Sequence, residues 1–306
     1  MSQPCVVRVG PLMPFLEDAL EREYAAPSLA EVGTQTAGLT VAVAGGGTII
    51  GAAEMDALPG LRAVANFGVG YDNVDVEEAT RRGIVVSNTP DVLTDAVADL
   101  TVVLVLDVLR QVSSADRFVR RGEWAAGGRF PLTREVRGTV VGILGLGRIG
   151  EAVAQRLEPF GARIAYHSRS PKQVPWAFHV SPVELARACD VLVVLTPGGA
   201  DTHRLVDASV IDALGPDGFL VNVSRGSVVD ETALVAALEE GRLAGAGLDV
   251  FADEPHVPTA LLGRDDVVLL PHVGSATVQT REAMATLVLD NVAAFLATGR
   301  LVTPVS

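Results

Sequence analysis

The chain contains a single lysine. Of its 24 basic residues 23 are arginine, and the exception is Lys172. This bias is compositional and points by itself to no activity. Cysteine is almost as scarce. Cys5 and Cys189 stand alone in apolar surroundings, which excludes a disulfide framework and reads as two small core residues in a reducing cytosol. No stretch reaches 18 consecutive apolar residues, so no membrane-spanning helix and no membrane partner is expected. The first residues hold no basic stretch followed by an apolar core, so no signal peptide is expected, and the expected location is cytoplasmic. A basic run is missing as well. With a net charge of −13, nucleic-acid binding through phosphate neutralisation is not expected. No Cys, His and Asp residues gather at ligand spacing, so no metal is expected.

What is present is alternation. The 306 residues, 49% hydrophobic, suffice for one large domain or two ordinary ones. Apolar runs of strand length alternate with helix-period segments, the pattern of an α/β fold whose parallel strands are buried on both faces. A first series places strands at 6–9, 40–44, 62–66 and 84–87. A long helical pattern then starts at Thr94, read as an N-cap, and runs to Trp124. A second series places strands at 140–144, 163–166, 191–195, 218–223, 245–250 and 267–270. In "DETALVAALEEG", Asp230 reads as the cap and Gly241 as the stop. One more helix, about 280–297, ends the pattern and is expected to return to the first domain. The prediction is two doubly wound parallel-sheet domains with a cleft between them. Residues 1–94 with 280–306 form the substrate domain, and residues 95–279 the cofactor domain.

"VVGILGLGRIG" carries G-x-G-x-x-G at Gly145, Gly147 and Gly150. It follows a strand and opens a helix, as a dinucleotide turn must. Gly145 permits the tight turn, Gly147 the approach of a pyrophosphate, and Gly150 close helix–strand packing. The helix N-terminus adds N–H groups and a positive dipole end. The acidic residue that would hold a ribose 2′-hydroxyl is absent. His167 stands there, 22 residues past Gly145, within "AYHSRSPK". Without a carboxylate a 2′-phosphate is not repelled. Arg169 can fork onto it, and Ser168 and Ser170 can donate hydroxyls. Lys172 is near enough in sequence to add a point charge. The expected cofactor is NADP(H), with NAD(H) accepted more weakly.

Three residues follow strands of the second series: Arg225 after "FLVNVSRG", Glu254 in "GLDVFADEP" and His272 in "VVLLPHVG". Ligands of open α/β sheets bind beyond these strand ends. Together the three suit reduction of a 2-keto acid. Arg225 can hold the carboxylate and polarise the keto oxygen. His272 as imidazolium can give that oxygen a proton, and Glu254 can orient the ring and stabilise its charge. His179, His203 and His256 show no partner pattern.

"GILGLGRIG", "VNVSRGSVVDETALVAALEEGRLAGAGLDVFADEP" and "LLPHVGSAT" resemble the D-isomer-specific 2-hydroxyacid dehydrogenase family. "NFGVGYDNVD" and "NTPDVLTDAVADL" resemble its first domain. The resemblance spans nearly the whole chain. It implies two Rossmann-like domains and catalytic roles for Arg225, Glu254 and His272. It implies that Val69 and Gly70 offer N–H groups to the substrate carboxylate. It implies that Asp249 binds the nicotinamide carboxamide, a strand-end cap being the competing reading. By the same resemblance Thr196 and Pro197 line the adenosine side and Val223 the nicotinamide side. The expected cofactor set also takes in Leu146, Arg148 and Ile149 of the turn, together with Thr202 and Gly274.

Within the family, "AYHSRSPK" is similar to the glyoxylate/hydroxypyruvate reductases and the plant hydroxyphenylpyruvate reductases. The implied substrate is a small anionic 2-keto acid, with bulkier acids such as phenylpyruvate as the alternative. The loop at 44–50, "AGGGTII", is expected to shape the pocket, its three glycines leaving room. A homodimer is implied, through the long helix and the segment bearing Trp124. A dinucleotide-sensing interaction protein is the distant alternative.

Overall fold

Four short apolar runs build the first sheet of the computed structural model, which describes residues 5–33, 35–45 and 47–305. They are β1 (Val6–Val9), β2 (Val41–Ala44), β3 (Ala63–Asn66) and β4 (Val85–Ser87), parallel and in the order β1-β2-β3-β4. The register sets Val6 beside Val41, Val41 beside Ala63 and Ala63 beside Val85. All residues of β2 and β3 are buried. Continuous apolar runs are therefore required here, where a half-exposed sheet would alternate. A parallel bridge from Arg8 to Ser28 lies on the other side of β1, and there the winding reverses.

The chain divides into two units, Met1–Leu93 with Ala276–Ser306, and Thr94–Ser275. The helix Val278–Thr298 belongs to the first unit and packs on β3. Thr277 caps it, its hydroxyl accepting from the Thr280 N–H at 3.2 Å, and Gly299 ends it in the left-handed region. The segment beyond pairs with β4. Ser87 bridges Pro304 antiparallel, and the Val305 N–H donates to the Val86 carbonyl at 2.8 Å. Fully buried Asn291 holds this segment by accepting from the N–H groups of Val302 and Thr303.

The second unit contains β5 (Val140–Leu144), β6 (Arg163–His167), β7 (Ala177–Phe178), β8 (Val191–Val194), β9 (Phe219–Asn222), β10 (Gly245–Leu248) and β11 (Val267–Leu269). All are parallel, in the order β11-β10-β9-β8-β5-β6-β7. The chain leaves β5 toward β6 and later returns to β5's other side as β8, so the switch point lies between β5 and β8. The register aligns the last residues of the six longer strands in one row: Leu144, His167, Val194, Asn222, Leu248 and Leu269. Every loop that follows these strands leaves from the same edge.

The long helical pattern is two helices, Thr94–Arg110 and Val112–Arg120. Gln111 breaks it at φ 51° and ψ 41°. Buried Asp107 stabilises the break by accepting the Ser113 N–H at 2.9 Å and the Ser113 hydroxyl. The first helix begins with Thr94 itself, so Leu93 precedes it. Burial pushes the Cys189 thiol up to about 12, which leaves it un-ionised and inert. Among the described residues no helix is long and apolar enough to cross a membrane.

Candidate active site

The turn after β5 is fixed by contacts that no side chain could share. Gly145 has φ +98°, and a Cβ there would lie 2.7 Å from the Thr196 N atom in the loop after β8. At Gly150 a Cβ would lie 2.8 Å from the Gly145 carbonyl oxygen. Gly147, at the N-cap of the helix Arg148–Leu157, has open space where its Cβ would be. Two glycines therefore serve packing, and the third leaves the helix N-terminus accessible to a phosphate. The Leu146 side chain is buried, so any part it takes in binding falls to its backbone. Arg148 opens the helix, and Ile149 is half-buried behind it.

Across the switch point, the Thr196 hydroxyl oxygen is buried without a hydrogen-bond partner. An orphaned buried donor is costly and marks a place made for a ligand atom. Pro197 is exposed beside it. The Thr202 hydroxyl donates to the Pro197 carbonyl at 2.7 Å and so holds this loop in shape.

The loop after β6 is fastened from within the sheet. The hydroxyl of buried Tyr166 accepts from the Lys172 N–H at 2.8 Å. His167 donates through Nδ1 to the His179 carbonyl at 2.9 Å. Ser168 donates to the Ser170 carbonyl at 2.7 Å. Arg169 is exposed and makes no hydrogen bond or ion pair among the described residues. Lys172 differs, because its Nζ lies 3.1 Å from Glu151 Oε1. The open Gly147, the orphaned Thr196 hydroxyl and the unpaired Arg169 together fit a dinucleotide bearing an extra phosphate.

Arg225 sits on a turn organised by buried Asn222. The Asn222 amide donates to the Arg225 carbonyl at 3.0 Å and accepts from the Ser224 N–H and hydroxyl at 3.1 and 3.0 Å. The next residue admits no side chain, since a Cβ on Gly226 would lie 1.9 Å from the Phe251 carbonyl carbon. The Arg225 turn is thus pressed against the segment that leads to Glu254. Gly226→Ala is expected to give little folded protein, or a melting temperature lower by more than 10 °C, because backbone must move to admit the methyl. Thermal denaturation of the purified variant checks this.

Glu254 and His272 meet beyond the ends of β10 and β11. His272 Nδ1 lies 2.7 Å from Glu254 Oε2, and Glu254 Oε1 accepts the Phe251 N–H at 3.0 Å. With Nδ1 donating to the carboxylate, Nε2 is left to face a reactant. His272 has φ 55°, a left-handed conformation unusual for a residue with a side chain. Asp249 holds it there. Its backbone carbonyl accepts the His272 N–H at 2.8 Å, and its two carboxylate oxygens accept the N–H groups of Val273 and Gly274 at 2.8 Å each. Val223 lies against Gly274 from the end of β9.

Burial works to raise the Glu254 pKa, but the hydrogen bonds from His272 and Phe251 and the charges of His272 and Arg225 outweigh it, and the net direction is down. Burial raises the Asp249 pKa against those two backbone bonds and His272. Because Glu254 is depressed, its pairing adds stability that is complete above the ordinary value of 4.5. That stability is lost as pH falls through the lower folded value.

In the first unit, Val69 and Gly70 follow β3. Asn88 Nδ2 donates to the Val69 carbonyl at 2.8 Å, and Asn66 Nδ2 donates to the Gly70 carbonyl at 2.9 Å. Neither the Val69 nor the Gly70 N–H has an acceptor among the described residues. Two successive unused N–H groups can receive an anion. The glycines of the loop at 44–50 differ, and Gly47 has open space where its Cβ would be. A Cβ on Gly45 would lie 2.2 Å from the Pro11 carbonyl oxygen, so that glycine serves close packing. Gly46 lies outside the described residues.

Sequence reasoning missed Tyr166, Asn222 and Gly226 as structural keys, whereas Thr196 was expected on the adenosine side. Only Gly226 carried a signal, as a glycine directly after the candidate arginine. Among the described residues no three His, Cys, Asp or Glu side chains are grouped to hold a metal ion.

A parallel sheet with a glycine turn at its switch point and an Arg, Glu and His set at its strand ends is the plan of a dinucleotide-dependent oxidoreductase. Residues 102–274 match the family model described as D-isomer specific 2-hydroxyacid dehydrogenase, NAD binding domain. A hydroxyphenylpyruvate reductase from Plectranthus scutellarioides is 47% identical over 308 residues, 98% of each chain. A glyoxylate/hydroxypyruvate reductase A from Arabidopsis thaliana is 51% identical over 249 residues, 81% of this chain and 79% of that one. The solved structure of an NADPH-dependent glyoxylate/hydroxypyruvate reductase from Sinorhizobium meliloti, in complex with NADP and malonate, is 47% identical. It superposes with a TM-score of 0.94 over 100% of this chain and 97% of that one. The chain belongs to the D-isomer specific 2-hydroxyacid dehydrogenase family and is an oxidoreductase.

Proposed function

We propose that the chain reduces glyoxylate and hydroxypyruvate to the 2-hydroxy acids with NADPH. The observation that carries the chemistry is the 2.7 Å pairing of His272 with Glu254, on the same sheet edge as Arg225. The glycine turn, Thr196, Pro197 and Val223 would hold the dinucleotide, and Arg169 and Ser170 its 2′-phosphate, with Ser168 joining them on releasing the Ser170 carbonyl. When bound, the reduced nicotinamide supplies the hydride that the keto carbon receives. Arg225 neutralises charge as it grows on the keto oxygen, and His272 Nε2 gives that oxygen its proton. Glu254 balances the imidazolium before transfer and fixes which ring nitrogen faces the substrate. The Val69 and Gly70 N–H groups are, in the first unit, a second candidate place for a carboxylate. The Asp249 oxygens, already accepting two N–H groups, retain lone pairs for a carboxamide N–H.

The test is initial rates with glyoxylate, hydroxypyruvate and phenylpyruvate, each with NADPH and NADH. Fast NADPH oxidation by the two small acids supports the assignment. A preference for phenylpyruvate moves it to the aryl acids, a reading favoured by the name of the Plectranthus relative. No turnover at all returns attention to a sensing protein. Arg169→Ala is expected to raise the KM for NADPH by about 10- to 100-fold, the range for a lost charge-assisted hydrogen bond. The KM for NADH should change little, and equal changes for both would remove Arg169 from the phosphate.

Val103, Val112, Val119, Trp124 and Leu132 are large and exposed on the helices Thr94–Arg110 and Val112–Arg120 and the segment after them. Large exposed apolar side chains concentrated on one stretch of chain suit an interface, and the proposal is a cytoplasmic homodimer joined there. Light scattering should then read twice 31.9 kDa; a monomer mass would exclude it.

A further inference from the structure

Glu151 occupies the first turn of the helix Arg148–Leu157, one residue past Gly150, and its N–H donates to the Gly147 carbonyl at 2.9 Å. That turn is the phosphate end of the helix, where an additional carboxylate competes with a ligand's own charge. Lys172 Nζ lies 3.1 Å from this carboxylate. The lysine backbone is held by the Tyr166 hydroxyl, which also donates to the Lys172 carbonyl at 3.3 Å. Lys172 is three residues from Arg169, at most about 11 Å along the chain, about the Debye length at 0.1 M salt and beyond the one at physiological salt, so its influence there is largest at low salt. The only lysine of the chain is therefore engaged by a carboxylate, three residues along the chain from the Arg169 expected to meet the phosphate.

We propose that Lys172 is a positioning residue for cofactor choice: it masks the Glu151 carboxylate, so that a 2′-phosphate is not repelled from the Ser168–Ser170 loop. Unmasked, Glu151 places a negative charge near a phosphate that itself carries nearly two. A cofactor with a plain 2′-hydroxyl does not feel that repulsion. The readout is thus a ratio between cofactors. The inference rests on the NADPH reading, and the unaltered protein tests that reading first in the same assay: a preference for NADH there overturns the reading itself.

The experiment is kcat/KM for NADPH and NADH with Lys172→Met, Glu151→Gln and the double variant. Lys172→Met is expected to lower the NADPH-to-NADH ratio about three- to five-fold, the upper reach of an exposed charge interaction. Adding Glu151→Gln is expected to bring the ratio back to within about two-fold of the starting value, and high salt to shrink the difference. Three results overturn the proposal. The ratio can stay unchanged in Lys172→Met, or the second substitution can fail to restore it, which would mean direct contact with the phosphate. Both cofactors can also weaken equally, which would mean a simple latch on the loop.

Discussion

His272→Ala is expected to lower kcat by about 10³-fold with glyoxylate and NADPH while NADPH still binds. General acid catalysis contributes about 10²- to 10⁴-fold, and no other group in this cluster stands ready to replace the ring. Arg225 is committed to the charge on the substrate oxygens. Glu254 is ionised across the working range, because the hydrogen bonds and positive charges around it overcome its burial. Asp249 spends both carboxylate oxygens on backbone N–H groups. Cofactor titration by fluorescence separates the two effects, since the glycine turn and the β6 loop are untouched by the change. Unchanged turnover would end the role of His272 as acid. Glu254→Gln makes a useful companion: it keeps the shape and removes the anion, so it should fall between the unaltered protein and His272→Ala.

Arg225→Ala is expected to reduce kcat/KM for the keto acid by about 10³-fold, through both its carboxylate and its keto oxygen. Removing one preorganised donor to a developing oxyanion costs about 10²- to 10³-fold in rate, and loss of a carboxylate partner adds to that. The KM for NADPH should move little. Arg225→Lys should recover only part of the loss, because an ammonium cannot fork onto two oxygens. Equal weakening of both substrates, with a lowered melting temperature, would mean that the turn built on Asn222 had collapsed. Steady-state kinetics against each substrate in turn decides it.

The parts of this molecule that sequence patterns disclosed are those governed by near neighbours. Strands buried on both faces are apolar almost throughout, with Asn66 and Asn222 only at the ends of β3 and β9, so β2, β3, β8 and β9 stood out as runs. Gly145, Gly147 and Gly150 stood out because their spacing is dictated by one tight turn. Arg225, Glu254 and His272 stood out because each lies within a few residues of the end of such a run. What stayed hidden depends on distant partners or on backbone geometry. β7 has two residues, too few for any period to register. Gln111 and His272 adopt left-handed conformations without being glycine, held by Asp107 and Asp249 respectively. The Tyr166 hydroxyl reads as one more buried aromatic until its partner six residues on is seen. Lys172 was expected to supply a spare charge, and only the fold shows that Glu151 already engages it.

The way the first unit is assembled has a consequence for synthesis on the ribosome. The second unit is one continuous stretch, Thr94–Ser275, and all its strands emerge in succession. The first unit emerges earlier, yet it lacks the helix Val278–Thr298 over β3 and the segment that pairs with β4. At translation rates of about 5–20 residues per second, that helix follows the end of β4 after roughly 10–40 s. Through this interval the nascent chain carries an uncovered sheet face and an open β4 edge, the features that invite wrong pairing. The part of the chain made first is therefore the last to close, and it is the part a holding chaperone would have to shield.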